Sequence, residues 1–317
     1  MMGRNRIPIV ILAGSDRRPA VLPESGRDKH PLAGYKGVDV WIGGRPLIAL
    51  LVERLIAIGE FGPLYVVGPA RAYDCVRQDS QWVESDGTVG QNFRRGFETA
   101  QAAHPGSPIA CVTCDILPDV DTVRSLMEEY RREAPCDLWL PLVEAPADTG
   151  RLGASEWKPK YRIIPGPGRK GVRFLPGHLA IADPEAMRLR FLYRLIDVGY
   201  RTRNRPIRYR RTVMVRGVVA ALLYQDFLHL FAGRLPTLTW SVLSAGSDAA
   251  RALRAGSITR EVMEEKLRKI LVNHRHLRRY PRRRVMLPIV DALSLALDID
   301  TEEEARAVGG RIAPRSA

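Results

Sequence analysis

Asp115 is the first residue whose type and position suggest chemistry. It lies in the segment Ile109–Pro118, whose apolar start predicts a buried strand, and a helix is predicted over residues 121–132. Ligands of open α/β sheets bind beyond the carboxyl ends of the strands, where Asp115 would lie. A carboxylate at that position can hold a metal-bound phosphate, or it can be an ordinary turn residue or helix cap.

A glycine-containing turn follows the first predicted strand, Ile7–Leu12. In the turn Ala13–Ser15, Gly14 permits close approach of the backbone, and successive N–H groups in such a turn can bind an anion. The next segment, residues 16–44, is rich in proline, glycine and charge, which predicts a long loop. Its cations are Arg17, Arg18, Arg27, Lys29 and Lys36.

A second candidate acid, Asp300, lies near the end of the chain. Thr301 and Glu304 have the spacing of a capping box, which predicts a helix that starts at Thr301 directly after Asp300. The acidic residues 302–304 are expected only to complement the dipole of that helix.

The elements that must position these residues alternate between strand and helix. Strands are predicted at 7–12, 64–67, 109–115 and 137–143, with helices after Pro46 and from about residue 93 to 103. This order predicts an α/β fold with a doubly wound, mainly parallel sheet and helices on both faces. Right-handed crossovers would then bring Gly14, Gly68 and Asp115 to one rim of the sheet.

The pattern changes after Pro184, where four helices are predicted at about 186–198, 212–231, 238–254 and 259–279. We therefore expect an α/β domain formed by residues 1–185 and 285–308, a basic helical insertion at 186–284, and a flexible tail at 309–317. A turn and another short strand are expected at 174–182, and the turn contains His178.

The net charge of +14 in 317 residues is unevenly distributed. Residues 201–211 contain six arginines and residues 266–284 contain nine lysines or arginines, and neither stretch contains an acid. Such stretches can bind an anionic acceptor, an acidic lipid surface or nucleic acid. Tyr280 is the only aromatic residue of the second stretch, so binding of nucleic acid by base stacking is not expected.

Cellular location and redox chemistry follow from simpler features. The chain shows no secretory signal pattern and no apolar run of the ~20 residues that a membrane helix needs. Cys111 and Cys114 have C-x-x-C spacing, but they fall in a predicted buried strand and no second pair completes a zinc site. We expect a protein of the reducing cytoplasm.

Five short motifs also occur in order along the chain. They are V-I-L-A-G-S at 10–15, Lys36 with G-G-R-P-L-I at 43–48, G-T-V-G-Q-N at 87–92 with Ala100, T-C-D-I-L-P at 113–118, and D-I-D-T at 298–301. Together they resemble the motifs of the MobA-like NTP transferases, the family of the molybdenum-cofactor guanylyltransferases. The resemblance covers roughly residues 7–145 and 285–306 and does not include the helical region.

The resemblance implies a Mg²⁺-dependent transfer of NMP from an NTP, with GTP or CTP favoured, to a small acidic phosphate or hydroxyl acceptor. Pyrophosphate would be released. The implied metal ligands are Asp115 and Asp300. The implied nucleotide contacts are Leu12, Ala13, Gly14 and Ser15 with the triphosphate and Gly87 and Asn92 with the base. Phosphate charge would be neutralised by Lys36 or Lys29 with help from Arg17 or Arg18, and His178 would contact the acceptor. From the residues alone, Asn92 fits a helix N-cap equally well.

The sequence departs from the family pattern at several points. Ser15 stands where the family more often has a second glycine, Cys114 where it usually has glycine, and Glu302 where it usually has proline. The long loop before Lys36 leaves open which lysine contacts the triphosphate.

Two other functions fit the same residues. A glycosyltransferase that uses a nucleotide sugar also needs a metal-binding acid at a strand end, and such enzymes typically have a D-x-D motif. Asp298 and Asp300 have that spacing, but at the opposite end of the chain from where it is expected. The third function is non-catalytic binding of nucleic acid or membrane by a basic protein on a degenerate nucleotide fold.

Overall fold

The structure is a computed structural model that describes residues 6–15, 30–148, 150–152, 160–202, 207–231 and 238–312. Within these residues, seven strands form the central sheet in the order β12-β7-β11-β6-β1-β4-β5. All neighbouring pairs are parallel except the two pairs formed by β11. The strands are β1 (Ile7–Leu12), β4 (Phe61–Gly68), β5 (Gln81–Glu84), β6 (Ile109–Thr113), β7 (Leu138–Trp139), β11 (Leu179–Ala182) and β12 (Val285–Met286).

Strand β1 lies between β6 and β4 inside this sheet and is apolar on both sides. Ile9, Val10 and Ile11 are fully buried, as expected for a parallel strand covered on both faces. Leu12 is in register with Val67 of β4 and Thr113 of β6. The three strands therefore end at one level, which is the predicted rim.

Helices cover both faces of the sheet. Ile9 and Ile11 pack in one core with the helices α2 (Leu47–Ile58) and α4 (Val120–Glu133). Val10 packs in the other core with α3 (Val89–Ala103). Before these helices, the short helix α1 (Lys36–Asp39) brings its first residue to the rim. The predicted doubly wound α/β class is confirmed.

Two smaller sheets flank the central one. The first contains β8 (Leu142–Glu144), β9 (Tyr161–Ile163), β10 (Val172–Pro176) and β13 (Ile289–Val290), and the second contains β2 (Val40–Ile42), β3 (Arg45–Pro46) and β14 (Gly310–Ile312). The strand predicted at 137–143 is therefore two strands, β7 and β8, in different sheets. Pro141 lies at the break, where it lacks an N–H to donate to a neighbouring strand.

The second half of the chain supplies six helices among the described residues: α5 (Leu189–Arg201), α6 (Ile207–Phe231), α7 (Leu238–Ala255), α8 (Arg260–Leu271), α9 (His274–Arg279) and α10 (Glu302–Ala307). The helix predicted at 259–279 is broken into α8 and α9, because Val272 is extended and the side chain of Asn273 donates to the carbonyl of Met187 (2.8 Å). Among the described residues, no helix combines the length and the apolar content that a transmembrane span needs.

The division into an α/β domain and a helical insertion remains a prediction. Within the segment from Gly309 onward, which the sequence predicts as a flexible tail, residues 310–312 form β14 and pair antiparallel with β2. Residues 313–317 lie outside the described part of the chain.

Candidate metal and phosphate site

Three aspartates meet beyond the carboxyl end of β6. Carboxylate oxygens of Asp115, Asp298 and Asp300 all lie within 4.8 Å of one another. The N–H of Ile299 donates to the carbonyl of Asp115 (2.8 Å), which brings the two distant parts of the chain together. Asp298 and Asp300 flank Ile299, so this single backbone contact places both of them beside Asp115.

The helix that follows Asp300 begins as predicted. Thr301 is the N-cap of α10, its hydroxyl accepts from the N–H of Glu304, and Glu304 accepts in return from the N–H of Thr301. The same carboxylate accepts from the N–H of Asp300 (2.9 Å). The capping box therefore fixes the backbone on which Asp300 is presented.

Lys36 is the cation at this acidic cluster. Its side chain is buried, its Nζ donates to Asp300 Oδ1, and it lies 3.6 Å from Asp115 Oδ2. The segment before Lys36 is tied to the same region, since the N–H of Leu32 donates to the carbonyl of Asp300 (2.8 Å). The structure thus brings Lys36, Asp115 and Asp300 together. Arg17 and Lys29, the other predicted phosphate-binding cations, lie outside the described residues.

One ammonium group does not balance three carboxylates in a poorly solvated place. The pKa of Asp300 is raised to about 7, mainly by burial and also by the negative charges of Asp298 and Asp115, while Lys36 opposes the increase. The excess negative charge would be neutralised by a bound cation.

The donor set fits a hard divalent cation. Asp115 Oδ1 is buried and accepts no hydrogen bond from any described group, so its lone pairs are available. Carboxylate oxygens are the ligands that Mg²⁺ takes, usually one or two per ion together with phosphate and water oxygens. Asp298 was missed in the sequence analysis as a ligand, although its two-residue spacing from Asp300 was visible there.

The pH dependence of stability should reveal Asp300. Its pKa rises from 3.8 to about 7 on folding, so between these values the folded protein holds a proton that the unfolded chain has lost. The unfolding free energy of the metal-free protein is therefore expected to fall as pH rises across this window. Chemical denaturation in EDTA at a series of pH values should show a smaller decrease for Asp300→Asn. Equal pH slopes for the two proteins would contradict the assignment.

Asn92 connects two turns at the rim. Its side-chain Oδ1 accepts from Ser85 Oγ (2.7 Å) and from the N–H of Gly87 (3.1 Å). Its Nδ2 faces Gly14, where an added Cβ would lie only 2.3 Å from it. The helix N-cap is Thr88, not Asn92, so the alternative role of Asn92 as a cap is wrong. Gly14 is thus required for the approach of Asn92, and Gly87 is held by the same amide.

The turn after β1 differs in one respect from the expectation. The N–H of Ala13 donates to the carbonyl of Val67 (2.9 Å), because Ala13 still continues the parallel pairing with β4. This donor is used within the sheet and is not available to a phosphate. Leu12 ends the strand beside it, and the half-buried turn residues Gly14 and Ser15 lie next along the chain.

Substitution of Gly14 tests the contact with Asn92. Gly14→Ala is expected to displace the Asn92 amide and to raise the dissociation constant of a nucleotide roughly tenfold or more, since the turn that Asn92 holds would shift. Gly246→Ala is the matched control, because an added Cβ there meets no heavy atom within 4 Å. Isothermal titration of both variants gives the comparison. Unchanged nucleotide affinity in Gly14→Ala would exclude this turn from the binding site.

Two further contacts hold the turn 85–88, one through its own Asp86 and one through Asp197. Tyr35, directly before Lys36, donates from its hydroxyl to Asp86 Oδ2 (3.2 Å). Asp197 of α5 accepts from the hydroxyl of Thr88 (2.6 Å) and from the N–H of Gly90 (2.9 Å). The contact of Asp197 ties the helical region to the turn, and no local signal in the sequence indicates it.

His178 lies on the other side of Asp115. Strand β11 runs antiparallel to β6, so His178, just before β11, lies beside Thr113, and its Nδ1 is 3.1 Å from Thr113 Oγ1. The N–H of His178 donates to the carbonyl of Leu295 (2.7 Å). The histidine is therefore at the rim, beside Thr113, which precedes Asp115 of the acidic cluster by two residues.

A solved structure shares this architecture. A hypothetical transferase from Thermus thermophilus has 18% sequence identity, covers 95% of this chain and 100% of its own, and superposes with a TM-score of 0.53. This chain has the same fold as that structure.

Two weaker likenesses are a 4-diphosphocytidyl-2C-methyl-D-erythritol synthase from Anaerococcus prevotii and a CMP:2-keto-3-deoxy-manno-octonic acid synthetase complexed with CTP. The first has 9% identity, 96% coverage of both chains and a TM-score of 0.43. The second has 14% identity, coverage of 60% of this chain and 78% of its own, and a TM-score of 0.42.

No protein-family model and no curated protein matches the chain. The resemblance to the MobA-like proteins therefore rests on the five short motifs. The likeness to the Thermus structure supports the doubly wound α/β fold.

Proposed function

We propose that the protein is a Mg²⁺-dependent nucleotidyltransferase of the MobA-like type. It would transfer NMP from an NTP to a small acidic acceptor and release pyrophosphate. The observation that carries the proposal is the meeting of Asp115, Asp298 and Asp300 with Lys36 at the rim, beside the glycine turn that follows β1. The geometry of this site and the order of the five motifs support the same assignment.

The reaction requires little covalent chemistry from the protein. The acceptor oxygen attacks the α-phosphorus, the bond from that phosphorus to the bridging oxygen breaks, and pyrophosphate leaves with the electron pair. A phosphate acceptor already carries the attacking lone pair, so no residue has to remove a proton. Catalysis then depends on positioning and on neutralising negative charge.

The chain has residues for both tasks. Asp115, Asp298 and Asp300 would hold Mg²⁺, which when bound neutralises phosphate charge. Lys36 would move its hydrogen bonds from Asp300 to phosphate oxygens, because the metal would then balance the acids. Gly14 and Ser15 would offer backbone donors to the triphosphate, and Gly87, held by Asn92, would contact the base. His178 would lie on the acceptor side.

The most direct test is a screen of the four NTPs with Mg²⁺ and a panel of phosphorylated acceptors, read out as pyrophosphate release. Thermal shift with each NTP selects the nucleotide first, since a ligand at ~100 times its dissociation constant should stabilise the fold by about 2.7 kcal/mol. GTP or CTP is expected to give the largest shift. Absence of a shift and of pyrophosphate with every NTP would contradict the proposal.

A second candidate is supported by the position of Asp298. The sequence places the D-x-D spacing of Asp298 and Asp300 near the end of the chain, yet both lie in the acidic cluster beside Asp115. A glycosyltransferase using a nucleotide sugar would need such a pair of acids. It would release a nucleoside phosphate and form no pyrophosphate, so the same assay with nucleotide sugars separates the two functions.

A further inference from the structure

The helical region carries a concentrated apolar surface. Of the twelve large hydrophobic side chains that are exposed in the described part of the chain, eight lie on α6 and α7. The exposed fraction reaches 78% for Phe231 and 80% for Trp240. We use the name apolar ridge for Leu223, Phe227, Leu230, Phe231 and Trp240. Contiguous apolar surface of this kind usually marks a place of contact with a protein or a membrane.

Helix α6 packs against the rest of the described protein through the side opposite the ridge. Leu222 is fully buried in a core with α5 and α7, and the buried Asp226 accepts from the N–H of Thr239 (2.7 Å). This contact also places Trp240 next to the C-terminal half of α6. Exposed positions 216, 220, 223, 227 and 230 recur at intervals of three or four, so they form one stripe on the outer side of the helix.

The helical region that carries the ridge is strongly basic, and this charge favours one kind of partner. Residues 186–284 contain 23 lysines or arginines and six acids, a net charge of +17. Arg216 is exposed on the same stripe as Leu223 and Phe227, and Arg201, Arg251 and Arg254 are exposed on α5 and α7. A helix face that carries leucine and aromatic side chains beside arginines combines the apolar and electrostatic contributions that favour binding at the surface of an anionic bilayer. Each cation near such a surface raises the affinity about fivefold.

The same charge disfavours the other partners. In a dimer formed through the ridge, two regions that each carry a net charge of +17 would face each other, and their repulsion would oppose self-association. Nucleic acid would satisfy the arginines, but it offers no apolar environment for the leucine and phenylalanine side chains of the ridge. A bilayer with anionic headgroups satisfies both features.

We propose that α6 and the start of α7 dock on an anionic lipid bilayer, with the apolar ridge at the boundary of the acyl chains and the arginines among the headgroups. The protein would be attached at the membrane surface through these helices, and the acidic cluster at the rim of the central sheet would take no part in the attachment. This interaction does not depend on nucleotidyl transfer, and its test contains no nucleotide.

Vesicle flotation of the full-length chain is the test. Binding is expected to vesicles of phosphatidylcholine mixed with phosphatidylglycerol, to weaken with salt, and to be much weaker with phosphatidylcholine alone. The double variant Phe227→Glu with Phe231→Glu should lower the partition coefficient roughly a hundredfold, because two buried aromatic side chains are lost. The control is Ile56→Glu on α2, because the side chain of Ile56 is also exposed (45%) but lies outside the ridge. This variant should bind vesicles as the wild type does.

Trp240 supplies a second measurement that does not depend on the double variant. Brominated lipids should quench the tryptophan fluorescence of the wild type and should have a much smaller effect on Trp240→Phe. The proposal is overturned if anionic vesicles are not bound, or if the double variant and Ile56→Glu bind equally. It is also overturned if light scattering shows a dimer that the double variant abolishes, which would assign the ridge to a second copy.

Discussion

Asp115→Asn is expected to lower the rate of nucleotidyl transfer roughly a thousandfold or more while the protein remains folded. Asp115 Oδ1 is buried without a hydrogen-bond donor among the described residues, so its proposed role as a Mg²⁺ ligand is its main contribution. In the metal-free protein the substitution removes one of three clustered negative charges, and this relief offsets the loss of the 3.6 Å contact with Lys36. The unfolding free energy should therefore stay within about 1 kcal/mol of wild type.

Two measurements decide this prediction. Pyrophosphate release gives the activity, and thermal unfolding with and without Mg²⁺ gives the stability and the metal response, which should be lost in the variant. Asp121→Asn is the matched control, because Asp121 is an exposed acid on α4 paired only with Arg124 among its described salt-bridge partners. Full activity of Asp115→Asn would remove the metal centre from the proposed mechanism.

The local patterns of the sequence predicted most of the rim. The β-branched run of β1, the proline before α2 and the Thr301 capping box each depend on residues within a few positions, so they are readable from the sequence. The level at which β1, β4 and β6 end follows from the parallel order of the strands. The closeness of Asp115 and Asp300, which are 185 positions apart, was expected only from the resemblance of their motifs to the family.

The remaining features depend on tertiary contacts that the sequence does not encode locally. Asp298 reaches the cluster because the N–H of Ile299 bonds to the carbonyl of Asp115, and no pattern around Ile299 indicates this bond. Asp197 reaches the N-terminus of α3 from a helix 107 positions away from Gly90. The break between β7 and β8 likewise reflects a change of sheet at Pro141, whereas the apolar run across it is continuous. Residues that reach the site through long-range contacts, such as Asp298 and Asp197, are therefore the ones that sequence reasoning missed.

Lys36→Met is expected to affect both stability and activity. Lys36 is buried, donates to Asp300 and lies near Asp115, so its removal leaves clustered carboxylates without their cation. Breaking a buried pair in this way costs about 3 kcal/mol, part of which is recovered when Asp300 takes up a proton. Transfer activity should fall roughly a hundredfold as well, because a phosphate-binding cation is lost.

A double-mutant cycle with Asp300→Asn separates these two effects. The double variant removes both the ammonium and the buried charge that needs it, so its unfolding free energy should recover most of the loss in Lys36→Met. Its activity should not recover, because both a proposed metal ligand and a phosphate-binding cation are absent.

Lys266→Met is the matched control for Lys36→Met. Lys266 pairs with Asp248 (2.9 Å), whose side chain is 43% exposed, and such pairs contribute less than about 1 kcal/mol. If Lys36→Met were no more destabilising than Lys266→Met, Lys36 would not be the cation that balances the acidic cluster, and the phosphate-binding role would pass to a cation of the preceding loop.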